Sequence, residues 1–328
     1  MEKPKITSQE IIEVIDAREK EIFSLNLDNE VDLVQYRKIR GEYKNVAFER
    51  AVEIYNLLEN FEAKQRFCAS ALKEISDIVD GRSLFASYYG RHINHITGCE
   101  IYLEALRAIL YATKFENKDF ISVSEMLKPA IVKYEIYDEC EAMENMQELL
   151  WQIYNPESEG ADVERANISS DEVFDNLKSR YELVTNMFNE YVANGVYDAK
   201  EPIEYDAYKY KETRAIKYEY KKVAFDSAAE IYNNLTQVSS KNNFEKLASI
   251  LMRNINSSFN YDNKHILCEG EWILEMLRVM LKAMQEGKDI DHVKKLLYSV
   301  LDKNDSLAQN VLSTLSEYYN LEKKKIFE

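Results

Sequence analysis

Glycine and proline are scarce in this chain, with 8 Gly and 4 Pro among 328 residues, where ordinary usage is roughly 7% and 5%. Strand-rich folds spend both residues at their turns, so the scarcity argues for long helices with few connections. No run of alternating β-branched residues bounded by turn signals occurs, and no sheet is expected. Cysteine is sparse too: Cys68, Cys99, Cys140 and Cys268 stand alone, without a Cys-x-x-Cys pair. That pattern reads as free thiols in a reducing compartment. No apolar run approaches the ~20 residues a membrane helix needs. The opening MEKPKITSQE lacks the apolar core of a signal peptide. The expected location is cytoplasmic.

Catalytic and cofactor signatures are missing as well. The sequence has no Gly-x-Ser-x-Gly, no Gly-x-x-x-x-Gly-Lys phosphate loop, no Gly-x-Gly-x-x-Gly and no Asp-Asp doublet. No cofactor is expected, and an enzyme is the lesser reading. Positive charge is in deficit: 42 Lys plus Arg oppose 58 Asp plus Glu, for a net charge of −16. Such a surface repels phosphate backbones and anionic lipid, which argues against nucleic acid and membrane as partners. It attracts a basic protein. Assembly of identical chains is compatible with everything above.

What the sequence does contain is repetition. EYKNVAFERAVEIYNLL (42–58) and EYKKVAFDSAAEIYNNL (219–235) are identical at 12 of 17 positions at an offset of 177. Ile6-Thr7-Ser8-Gln9-Glu10-Ile11 answers to Ile168-Ser169-Ser170-Asp171-Glu172-Val173 at an offset of 162. Each reads as a helix start, with Thr7 or Ser169 as N-cap and Glu10 or Glu172 closing a capping box. EIYLEALRAIL (100–110) matches EWILEMLRVML (271–281) at 171, and Lys118-Asp119 matches Lys288-Asp289 at 170. Helices keep their sequence while links change length, as expected where packing constrains the first and not the second.

The expected fold is all-α: a tandem duplication of a five- to six-helix unit, two similar bundles packed about a pseudo-twofold axis. The first copy occupies 1–155, an acidic linker 156–167 and the second copy 168–328. Within the first copy, periodicity predicts helices near 8–27, 30–60, 62–79, 82–113 with a break near Gly90–Gly98, 119–135 and 138–154. FERAVEIY resembles the second helix of a tetratricopeptide unit, which keeps a helical-hairpin solenoid as the alternative. The 34-residue period of that family is absent.

Three groups of residues are candidates for function. The copies share acids: Glu42, Glu49 and Glu53 answer to Glu219, Asp226 and Glu230, and Glu104 with Arg107 to Glu275 with Arg278. Inward-facing Glu53, Glu104, Glu230 and Glu275 would form a carboxylate site for a divalent cation or small ligand. No Glu is followed three residues later by His, as a di-iron bundle requires. The plain reading is solvated acids on amphipathic helices, paired i,i+3 with arginine. Second, His92, His95 and Cys99 fall at i, i+3 and i+7, a spacing that could gather zinc ligands on one helical face. Third, the second copy gains about 15 residues between its first two helices, in a stretch rich in tyrosine. Tyr197, Tyr205, Tyr208 and Tyr210 are its candidate partner-binding residues, since tyrosine is enriched at interfaces. The function expected is a non-catalytic cytoplasmic interaction module, an adaptor, inhibitor or regulator. Its alternative is a bundle that binds a small ligand or metal.

Overall fold

The computed structural model describes residues 6–80, 96–132, 168–193, 207–257 and 267–323. The protein is all-helical, with eleven helices and no strand among the described residues. The chain divides into two compact units, Met1–Asp162 and Val163–Glu328. The expected helix 138–154 and linker 156–167 lie outside the described residues.

In the first unit α1 spans Ser8–Phe23, α2 Glu30–Leu57, α3 Phe61–Asp80, α4 Gly98–Phe115 and α5 Phe120–Val132. The predicted capping box starts α1: Glu10 N–H donates to Thr7 Oγ1 at 3.2 Å, and Thr7 N–H to Glu10 Oε2 at 2.7 Å. Ile11, Ile15 and Ile22 then fall on one face and are buried. Thr97 and Glu100 make a second box at the start of α4. Every residue of α4 from Gly98 to Ala112 is buried, because α1, α2, α3 and α5 all pack on it. A central helix must carry apolar residues on all sides, and IYLEALRAILYA does so apart from Glu104 and Arg107.

The second unit contains α6 (Ser170–Ala193), α7 (Ala207–Asn234), α8 (Val238–Ser257), α9 (Glu269–Gln285), α10 (Ile290–Tyr298) and α11 (Ser306–Lys323). Here α9 is central, with α6, α7, α8, α10 and α11 against it. The bounds of α7 and α8 are those of α2 and α3 displaced by 177 at both ends. Ser169 caps α6 as predicted, with Glu172 N–H donating to its Oγ at 3.2 Å.

One motif closes the central helix in both units. After α4, Asn117 adopts φ 54°, and Lys118 N–H donates to Ala112 O at 3.1 Å. After α9, Gly287 adopts φ +75°, and Lys288 N–H donates to Ala283 O at 2.8 Å. Both are left-handed C-terminal caps, a conformation that Gly and Asn tolerate. The residue just before each cap ties the first helix down. Glu116 accepts from Ser8 N and Oγ at 2.7 and 2.6 Å, and Glu286 from Ser170 N and Oγ at the same distances.

Candidate functional site

The middle turns of the central helices hold the densest buried charge. In the first unit α4 presents Glu100, Glu104 and Arg107 toward α1 and α2. Arg107 Nε donates to Glu53 Oε2 at 2.8 Å, and its Nη1 to Glu104 Oε2 at 3.2 Å. Tyr43 Oη donates to Glu104 Oε1 at 3.2 Å, and Tyr111 Oη to Glu53. From α1, Arg18 Nη2 donates to Glu100 Oε1 at 3.0 Å, and its guanidinium lies 4.8 Å over the ring of Tyr43. Arg50 is held less tightly, at 3.6 Å from both Glu53 and Glu104. Arg18, Tyr43, Arg50, Glu100, Glu104 and Arg107 border a cavity of 110 Å³ that is also lined by Ile11, Val14, Ile15 and Val46.

The second unit places like residues in like positions. Arg278 Nε donates to Glu230 Oε2 at 2.6 Å, and Nη1 lies 3.5 Å from Glu275 Oε2. The Arg180 guanidinium lies 4.2 Å over the ring of Tyr220. Ser227 replaces Arg50 and donates to Glu275 Oε1 at 3.2 Å. Lys282 replaces Tyr111 and reaches Glu230 at 3.2 Å. The two phenols respond alike. Burial pushes the Tyr43 hydroxyl well above its ordinary value, with Glu104 and Glu100 adding to it, and burial with Glu275 does the same for Tyr220. Burial opposes the charge on Arg107, yet Glu104 and Glu53 outweigh it and raise its pKa.

The acids predicted as a site are therefore brought together, but by arginine. Glu104 and Glu275 are buried, not solvated, because the helix that bears them is enclosed on every side. Their i,i+3 partners are the arginines the spacing implied. Glu53 and Glu230 are half-buried and share those arginines. Glu42 and Glu219 instead face outward beside Lys38 and Lys222. Arg18, Tyr43, Arg180 and Tyr220 were missed as members of the cluster. The equal offset of Arg18 and Arg180 from the first-helix match, 162, was the available signal.

The proposed zinc spacing assumed one helix through residues 92–99. Thr97 is extended, at φ −72° and ψ 149°, so Cys99 belongs to a new helix that begins at Gly98. His92 and His95 lie outside the described residues. Burial pushes the Cys99 thiol up, and Glu74 beside it adds to the shift. Among the described residues no group of three His, Cys, Asp or Glu could hold a metal ion.

The tyrosine-rich stretch is not one loop. Its second half, from Ala207, is the first half of α7, and α6 runs two turns longer than α1. Tyr220 is core, whereas Tyr218 is exposed with Lys222 over its ring at 4.7 Å. Tyr197 and Tyr205 lie outside the described residues. Tyr208 and Tyr210 fall in the first turn of α7, with their side chains outside what is described.

Compared with known proteins, the chain matches no family model, no curated protein and no solved structure.

Proposed function

We propose that the chain is a tandem duplication of one helical unit and works as a non-catalytic protein-interaction module. Its contact surface is the outer end of the second helix in each unit. One observation carries this reading. In the first unit large apolar side chains stand in solvent at that end: Val31 is 74% exposed, Val34 59%, and Phe23 across the short turn 64%. Exposed apolar groups gathered at one corner mark contact sites more often than singly scattered ones do. At the offset of 177 that relates α2 to α7, Val31 answers to Tyr208. The same end of both units thus carries a large apolar or aromatic residue. The inward acids, each paired with arginine in its own unit, support a structural role for the interior.

A net charge of −16 favours a basic partner. The test is affinity purification from the cells that make the protein. Tyr205→Ala with Tyr208→Ala should leave the unfolding temperature nearly unchanged and weaken capture of a stoichiometric partner by at least about thirtyfold, the scale of a lost hot spot. Raised salt should slow association. A double variant that unfolds, or one that retains its partner, would sink the reading.

A further inference from the structure

The cavity of the first unit has a composition that selects a ligand. Its charged lining consists of Arg18, Arg50 and Arg107 against Glu100 and Glu104, with Glu53 pairing Arg50 and Arg107 from just outside it. The carboxylates are already engaged. Glu100 accepts from Arg18 and from Thr97 N–H, and Glu104 from Tyr43 and Arg107. Arg50 differs. It makes two ion pairs at 3.6 Å, beyond hydrogen-bond length, so among the described residues its planar fork of donors has no hydrogen-bond acceptor. Such a fork matches a carboxylate in bidentate geometry. Beside the charges, Ile11, Val14 and Ile15 of α1 and Val46 of α2 supply an aliphatic lining.

Size narrows the occupant further. The cavity measures 110 Å³, somewhat less than an engineered apolar cavity of about 150 Å³ that admits benzene. Val14 is 47% exposed and lines the space, which therefore reaches solvent beside it. From these observations we infer that the first unit binds a short branched aliphatic carboxylate, its acid group on Arg50 and its alkyl end against α1. The second unit has Ser227 in place of Arg50, lacks that guanidinium and does not share this site. The inference stands apart from the interaction reading and survives its failure. The same chemistry is offered by a free branched-chain acid or by the C-terminal residue of a peptide ending in leucine.

The experiment is titration calorimetry on the full chain with isovalerate, isovaleramide, acetate and a short acetylated peptide ending in leucine. Isovalerate or the peptide should bind in the millimolar range or tighter, and whichever binds better identifies the source. The amide, which lacks the charge, and acetate, which lacks the alkyl group, should each bind at least about tenfold more weakly. Arg50→Met should weaken binding by at least about tenfold and leave the unfolding temperature almost unmoved, since partly exposed pairs at this distance add little stability. Val14→Glu, which places a carboxylate in the lining, is a second variant and should weaken binding similarly. Ser227→Ala should leave binding as it is. No heat from isovalerate or the peptide at about 10 mM, equal binding of isovaleramide, or unchanged affinity in both Arg50→Met and Val14→Glu would overturn the inference.

Discussion

Arg107 ties together two carboxylates, the buried Glu104 and the half-buried Glu53. It is 5% exposed and Glu104 is 7% exposed. Removing one member of a buried pair leaves the other uncompensated, which typically costs about 3–5 kcal/mol. Arg107→Met should therefore destabilise the first unit by about that much in urea unfolding, and adding Glu104→Gln should restore part of the loss. Equal stability of wild type and Arg107→Met would show that the pair is not sealed from water. Glu286 gives a pH-dependent counterpart. Hydrogen bonds from Lys288 first, and from Ser170, lower its carboxyl from 4.5 to about 2. A carboxyl depressed in the folded state stabilises fully above its unfolded value and loses that contribution as pH falls through the folded one. The contact of Glu286 with α6 should thus weaken between about pH 4.5 and 2. In Glu286→Gln the unfolding temperature should fall less steeply across that window, as a thermal scan at stepped pH would register.

At the scale of the element, the sequence was legible where local chemistry decides. The capping boxes at Thr7 and Ser169 were written in side chains that bond to their own helix, and both are found. Helices expected near 8–27, 30–60 and 62–79 are found at Ser8–Phe23, Glu30–Leu57 and Phe61–Asp80. What the Glu–Arg spacing alone could not disclose was that the pair lies inside. An i,i+3 Glu–Arg pair reads the same on a solvated face and on an enclosed one. Only packing by α1, α2, α3 and α5 places Glu104 and Arg107 inside. The left-handed caps were equally hidden at Asn117, since Gly287 signals a helix end and Asn does so less strongly. Asn117→Val should cost about 1–2 kcal/mol, because a β-branched residue resists φ 54°. Asn117→Gly should be close to neutral. Thermal unfolding of the two variants decides the matter, and a harmless valine would contradict the cap.

For the whole molecule, we propose that one helical unit is used twice, each copy closed by its own Glu–Arg cluster and each folding on its own core. The pairs Glu104–Arg107 and Glu275–Arg278, the rings of Tyr43 and Tyr220 beneath arginines, and the serine locks at Glu116 and Glu286 all join residues of the same unit. A chain built this way should survive division between residues 162 and 163, where contacts separate the two units. The most direct measurement is to express 1–162 and 163–328 separately and follow urea unfolding by far-ultraviolet circular dichroism. The duplication account predicts that both pieces are helical and monophasic, each losing its structure in a single cooperative step. A piece that is unfolded alone, or that melts without cooperativity, would contradict it.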